Sequence, residues 1–210
     1  MGDVLLMINP EAITNYNLTD MELEEHILFW VCAAGKNGRT AARCLDELMY
    51  NLKLHSHSPF DTLNLLSAHE VISSVITLPM LLKACGIGCY NQKAKTMYQL
   101  AKAKVFGMDL RTCTIDELET IYGIGKKTSR CFIIHSRENS RCAGLDTHIL
   151  KFLRAKGVEN VPKMTPSSKK EYDRLEKEFL KLADEVNKTV AEFDLDIWNQ
   201  YSVKTLTNKK

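Results

Sequence analysis

Gly123 and Gly125 stand one residue apart in G-I-G-K-K-T, between two short stretches of helical periodicity, and no other feature narrows the fold as far. Upstream, Thr114 and Glu117 have the T-x-x-E spacing of a capping box, which predicts a helix from Ile115. Ile115, Leu118 and Ile121 then share one face of it. Gly123 stops that helix, and the apolar run Cys131, Phe132, Ile133 and Ile134 predicts a second one starting near Lys126. A glycine at each end of the turn permits backbone conformations and close approaches that a side chain would forbid. The N–H groups opening the second helix are expected to face outward beside Lys126 and Lys127, an arrangement suited to a phosphate.

The rest of the chain also reads as helix. Residues 1–20 lack periodicity and are expected to cross a surface. Leu23, Ile27, Trp30 and Val31 predict a buried helix ending at Ala33-Ala34-Gly35. Asn37-Gly38 reads as a turn, followed by a helix with Ala41, Leu45, Leu48 and Leu52 inward. Ser67 and Glu70 repeat the capping-box spacing and predict a helix start, continued by Val71, Ile72 and Val75. A short helix through Leu81 and Leu82 ends at Gly86. Residues 91–105 predict an amphipathic helix burying Ala94, Met97, Ala101 and Val105, which leaves Lys93, Lys95, Lys102 and Lys104 to solvent or to phosphates. Asp146 is placed to cap a helix through Leu150 and Leu153 that ends at Gly157. Thr165-Pro166 is placed to start a long helix carrying Tyr172, Leu175, Phe179, Leu182 and Val186. The last element, FDLDIWNQYSVK, adds Trp198 and Tyr201. No segment alternates as a strand, so the expected class is all-α.

Composition excludes more than it identifies. No apolar run approaches the roughly eighteen residues of a membrane span, and no basic-then-apolar leader precedes residue 20. Seven cysteines, an odd number without paired C-x-x-C spacing, fit free thiols in a reducing compartment, so an intracellular protein is expected. The net charge of +2 says little, but its distribution says more. Between 126 and 141, Lys126, Lys127, Arg130, Arg137 and Arg141 oppose Glu138 alone, whereas nine acidic residues oppose four basic ones between 171 and 196. A molecule polarised in this way can hold a duplex on one face and repel it from another.

The turn G-I-G-K-K-T, followed by L-D-T-H-I-L from Leu145, resembles the helix-hairpin-helix DNA glycosylases of the endonuclease III superfamily. Those enzymes flip a damaged base out of the duplex and cut its bond to the sugar. The specific part of the match is the turn lysine, Lys127, with Asp146 nineteen positions later opening a new helix. G-I-G-C-Y-N-Q-K-A at 86–94 also resembles the segment that precedes the hairpin, and the likeness spans about residues 22–204. It implies one helical bundle of residues 22–135 ending in the hairpin, and a second of residues 1–21 with 136–210. The substrate cleft would lie between them, with Lys127 and Asp146 at its mouth.

By this resemblance, Asp146 is the carboxylate that stabilises positive charge building on the deoxyribose. Lys127 is the amine that attacks C1′, forming a Schiff base from which the strand is cut by β-elimination. Relatives lacking the lysine use water and only remove the base, so Lys127 implies a bifunctional glycosylase and abasic-site lyase. Gly123, Gly125, Lys126 and Thr128 are implied to contact double-stranded DNA, with Lys93 as a further phosphate contact. The carbonyls of Glu119, Ile121 and Ile124 are implied to hold a monovalent cation that bridges to DNA. Endonuclease III relatives fill the hole left by the flipped base with a glutamine, and the aligned residue here is Ala34. Either Asn37 or Arg39 takes that role, or the substrate is handled differently. The chain has no cysteine after Cys142, which implies that the iron–sulfur cluster of endonuclease III is absent and that no cofactor is required.

The C-terminal pattern V-P-K-x-T-P, Y-x-x-L-E and F-D-L-D-I-W-N-Q-Y-S-V-K resembles the compact 8-oxoguanine glycosylase/lyases of archaea. It implies Trp198 as a wall or stacking partner of the flipped base and Lys204 as a polar contact. His148, two residues past Asp146, reads as a structural histidine at the base pocket. The expectation is a monomer acting on DNA in cytoplasm, nucleoid or nucleus, or in a phage-infected cell. Two other readings stay open. Some bacteriophage proteins of glycosylase fold are described as attaching an amino acid to an activated 5-hydroxymethyluracil in DNA, and the A-G-K segment at Lys36 would suit such a transferase. A non-catalytic DNA-binding module would leave Asp146 a plain helix cap, Lys127 a phosphate contact and Trp198 a core residue.

Overall fold

The computed structural model describes residues 8–52, 58–73 and 76–207, the side chains of 70–73 and 203–207 excepted. The described residues form ten α-helices and no strand, the all-α class expected. In chain order they are α1 (Asp20–Ala33), α2 (Gly38–Asn51), α3 (Pro59–Ser73), α4 (Leu78–Ala84) and α5 (Tyr90–Val105). Then come α6 (Ile115–Glu119), α7 (Lys126–Ser136), α8 (Thr147–Ala155), α9 (Lys169–Glu185) and α10 (Val190–Thr207). None of the described helices is long and apolar enough to cross a membrane.

α1 organises the first group. Thr19 takes the Glu22 N–H and the Glu22 carboxylate takes the Thr19 N–H at 2.7 Å, a complete capping box. Such a cap contributes about 1 kcal/mol. Leu23, Ile27 and Val31 are buried as their spacing predicts, and Leu28 and Phe29 are buried too, because α2, α3, α5 and α7 all pack on this helix. α4 packs against α2 and α5. In the second group, α10 lies against α8 and α9. α7 joins the two, touching α1 and α6 on one side and α10 on the other. A continuous apolar core runs through both groups.

Several local expectations give way to tertiary packing. Residues 8–13 do not skirt a surface: Ile8, Pro10 and Ile13 are buried. Asn37 is the N-cap of α2 instead of a turn residue, its side-chain oxygen accepting from the N–H of Arg39 (3.0 Å) and of Thr40. The Ser67–Glu70 spacing opens nothing, since α3 begins at Pro59 and its buried Phe60 and Leu63, docked toward α1 and α5, carry the helix through the motif. The side chains of Val71 and Ile72, and all of Val75, lie outside the described residues. On α5, Val105 is exposed and Leu100 joins Met97 and Ala101 in the core. α9 starts at Lys169, later than Thr165-Pro166, because the Thr165 hydroxyl is turned toward the Leu145 carbonyl (2.7 Å). Val186, past the end of α9, is exposed, and Ala183 fills the buried position.

Candidate active site

The predicted capping box of the hairpin forms: Thr114 accepts from the Glu117 N–H at 3.1 Å while the Glu117 carboxylate takes the Thr114 N–H at 2.7 Å. Leu118 and Ile121 are buried, and the Ile124 N–H closes the turn on the Ile121 carbonyl at 3.0 Å. Gly123 has φ +83°, and a Cβ there would run into Thr96 Oγ1 of α5. Two independent constraints, backbone conformation and close approach, therefore require glycine. Gly125 is the N-cap of α7 and brings no side-chain cap, which leaves the N–H groups of the first turn for an outside acceptor.

Beneath the turn, Arg130 is buried and holds three elements together. Its guanidinium donates to Glu119 of the hairpin (2.6 Å), to Glu176 of α9 (2.9 Å) and to the Lys126 carbonyl (3.2 Å), and it lies over the Tyr172 ring. Glu176 also takes the Ala143 N–H at 2.8 Å. The Tyr172 hydroxyl donates to the Ala143 carbonyl (2.7 Å) and accepts from the Leu145 N–H (3.1 Å). Burial pushes that phenol far above the ordinary tyrosine range, so it stays a neutral donor. Gly144 presses into the first turns of α7: a Cβ would collide with Cys131 Sγ and lie 3.3 Å from the Lys127 carbonyl. These contacts bring Asp146 beside the hairpin, although nineteen positions separate it from Lys127.

The outcome is a cavity of about 580 Å³ whose lining includes Lys127, Asp146, His148 and Trp198, four residues singled out in the sequence. Asp146 caps α8 with one oxygen, Oδ1, which accepts the N–H groups of His148 and Ile149, both at 2.8 Å. Among the described residues its Oδ2 takes no hydrogen bond, so one carboxylate oxygen anchors the helix and the other remains for a ligand. Lys127, Cys131 and His135 lie at i, i+4 and i+8 along α7, and all three line the cavity. Half-buried Trp198 closes another side, its ring resting over Gly38 at the start of α2.

Residues missed from the sequence complete the wall. His135 is almost fully buried, with Nε2 3.2 Å from Asp194 Oδ2 and Nδ1 2.8 Å from the Thr14 hydroxyl. A carboxylate only accepts, so Nε2 donates to Asp194, while Nδ1 pairs with the Thr14 hydroxyl. Trp30 stacks on the same imidazole at 5.5 Å between ring centroids. The N-terminal arm, α1, α7 and α10 are thereby tied together at the cavity wall. Asp194 was legible in part, standing four residues before Trp198 and thus on the same helical face. His135 could have been found as the third member of the Lys127 row.

Other expected site residues are placed elsewhere. Lys93 is buried, its ammonium bound to the carbonyls of Cys32 (2.8 Å) and Ala34 (3.0 Å), and so does not reach a surface phosphate. Thr128 is also buried, on the inner face of α7. Lys104 pairs with buried Glu24, while Lys95 and Lys102 lie over the rings of Tyr122 and Phe106. Arg39 pairs with Glu11, and Asn37 is committed to its cap. The basic run 126–141 is largely consumed internally, since Arg130 is buried, Arg141 is bidentate to Asp184 and Arg137 donates to the Leu110 carbonyl. That leaves Lys126, partly exposed and 3.3 Å from the Ser167 carbonyl, and Lys127. The Lys204 side chain lies outside the described residues. Of the carbonyls expected to hold a cation, that of Ile121 already accepts the Ile124 N–H, which still leaves it a second lone pair. No group of three His, Cys, Asp or Glu side chains among the described residues is arranged to hold a metal ion.

No protein-family model matches the chain, and no curated protein resembles it in sequence. Solved structures do share its fold. The Methanocaldococcus jannaschii 8-oxoguanine glycosylase/lyase, in complex with a 15mer DNA containing 8-oxoguanine, superposes with a TM-score of 0.64 at 20% identity, covering 89% of this chain and 83% of that one. A further structure of the 8-oxoguanine DNA glycosylase from the same organism gives a TM-score of 0.62 at 18% identity, over 91% of this chain and 84% of that one.

Proposed function

We propose that this protein is a DNA glycosylase with abasic-site lyase activity, and that its substrate base is 8-oxoguanine. The observation that carries the reading is the meeting of Lys127 and Asp146 on one cavity, walled by Trp198, behind an uncapped hairpin helix. The fold shared with the archaeal glycosylase/lyases supports the choice of substrate. Fold alone does not fix chemistry, so the site residues bear the argument.

In this reading the hairpin turn at Gly123 and Gly125, with Lys126, grips a phosphate of double-stranded DNA; the carbonyls of Glu119, Ile121 and Ile124 would hold a monovalent cation, which would supply positive charge for that phosphate. The damaged nucleotide is extruded into the cavity, where its base stacks on Trp198. Lys127 Nζ attacks C1′ as the N-glycosidic bond breaks, and the departing base takes the bonding electrons and the proton that the amine releases. Asp146 Oδ2 stabilises the positive charge that develops on the sugar. Ring opening then gives a Schiff base between C1′ and Lys127. Loss of a C2′ proton expels the 3′ phosphate by β-elimination, and water finally releases Lys127.

Borohydride trapping on duplexes carrying 8-oxoguanine, an oxidised pyrimidine or an abasic site tests this. A covalent adduct with 8-oxoguanine, lost in Lys127→Ala, is the expected result. Trapping on the abasic site alone would retain the lyase and reject the base. No adduct on any duplex, from folded protein that binds DNA, would overturn the reading in favour of a base-modifying transferase.

A further inference from the structure

Lys93 is the one member of the α5 lysine row that points inward, and its surroundings are unusual for an ammonium. Only 8% of the residue is exposed, and among the described residues its two hydrogen bonds go to neutral carbonyls, those of Cys32 and Ala34, with no carboxylate in the set. Burying a charge without a counter-ion is costly, and a solvent-exposed helix end would be satisfied by water at no such cost. What the arrangement provides is an anchor for the last carbonyls of α1, where the helix dipole also favours a cation.

The anchored segment matters because of where it leads. Ala34 leaves the helix with ψ 114°, Gly35 follows at φ +72°, and Lys36 is held by its N–H on the Ala33 carbonyl (3.0 Å) and by its ammonium on the Gly86 carbonyl. Asn37 then caps α2, and Gly38 carries the Trp198 ring, its Cα so close that a Cβ would stand 3.2 Å from Trp198 Cζ2. Gly35, Lys36, Asn37 and Gly38 all line the cavity. The path from α5 to the aromatic wall is therefore short and made of defined contacts.

We propose that Lys93 is a positioning residue: by fixing the end of α1 it sets the 34–38 loop, and through Gly38 it sets the plane of Trp198. Only the identity of the group that stacks on Trp198 rests on the base-excision reading. The placement of the ring does not.

The chain has two tryptophans, so Trp30→Phe leaves Trp198 as the sole indole reporter. In that background, Lys93→Met should increase acrylamide quenching of Trp198 about two-fold or more at unchanged helical circular dichroism, and Lys93→Arg should restore the protected value. In the native-tryptophan protein, Lys93→Met should slow single-turnover release of 8-oxoguanine by about ten- to a hundred-fold, as misplacement of a site by about an ångström does. Trapping on abasic DNA and the salt dependence of duplex binding should stay as they were. Gly38→Ala, which pushes the ring from the other end of the path, should reproduce the quenching change even if Lys93→Met does not fold.

Unchanged quenching in folded Lys93→Met would overturn the proposal. So would a salt slope reduced by about one, because that would make Lys93 a phosphate contact. A Gly38→Ala protein with native quenching would remove the coupling to the loop. Failure of the wild type to release any base would count against the excision reading alone, since the quenching experiments need no substrate.

Discussion

The cavity has two walls built by opposite means. The hairpin wall, carrying Lys127 and Asp146, is shaped by short-range devices, a capping box, a glycine turn, an N-cap and a glycine in contact with the adjacent helix, which Glu176 and Tyr172 of α9 then hold together. Its charged core, Arg130 between Glu119 and Glu176, is buried and bonded on several sides. The facing wall is assembled from residues far apart in the chain, with Trp198 on Gly38, Lys93 on the end of α1, and Thr14 and Asp194 meeting at His135 of α7. The hairpin wall should therefore hold its shape under changes elsewhere, whereas the facing wall depends on the docking of α10 and of the N-terminal arm. On the proposed reading, the chemistry belongs to the first wall and base recognition to the wall that has to be assembled.

Substitutions can separate the two. The largest effect is expected for Lys127→Ala, which should abolish Schiff-base trapping at near-native stability. Asp146→Asn should likewise slow base release by at least about a hundred-fold, as removal of one group that stabilises transition-state charge does. Because asparagine caps helices as well as aspartate does, its unfolding free energy in urea should stay within a few tenths of a kcal/mol of wild type, whereas Asp146→Ala should lose about 1 kcal/mol in addition. Equal destabilisation of the two variants would mean that the cap and the chemistry are not separable at this residue.

Next in size is Arg130→Met, which strands two partly buried carboxylates and should cost about 3–5 kcal/mol by urea unfolding. A loss below about 1 kcal/mol would show that the hairpin wall does not depend on its ionic core. Gly144→Ala should cost about 1–3 kcal/mol by overpacking against Cys131 and the Lys127 backbone. It should also impair trapping on abasic DNA, which loosening of the facing wall should not do.

A pH dependence is expected at the seam between the walls. His26 packs against Phe132 of α7 and Trp30 of α1. Burial, with a smaller contribution from His135, pushes its imidazole down to about 3, so it is neutral in the fold. The unfolded chain takes up that proton near pH 6.5, and the folded state does not. Stability contributed by His26 is thus complete above about pH 6.5 and falls as pH drops toward 3, by at most about 1.4 kcal/mol per pH unit. Urea midpoints measured from pH 7.5 to 4.5 should show this slope, and His26→Phe should flatten it.

Both walls were partly visible in the sequence, but for different reasons. The capping boxes at Thr19 and Thr114 require only residues three apart, and both form. The identical spacing at Ser67 forms nothing, because a helix already fastened by Phe60 and Leu63 passes through it. The basic run 126–141 shows how charge counts mislead. Three of its arginines are directed to Glu119 and Glu176, to Asp184 and to the Leu110 carbonyl, and no one-dimensional count contains those partners.

What the sequence determined by itself was the helical class and the hairpin with its glycine turn; the pairing of the turn lysine with a helix-capping aspartate was implied by the resemblance of their motif. Each of these is set by steric and hydrogen-bonding rules that act within a few residues, or by a motif with fixed spacing. Only the tertiary structure decided that Lys93 faces inward, that Thr128 is covered, and that His135 and Asp194 share the cavity wall. Those outcomes depend on which helix covers which face, and burial of a polar group becomes affordable only when its partner, here often a backbone carbonyl, arrives from a distant part of the chain.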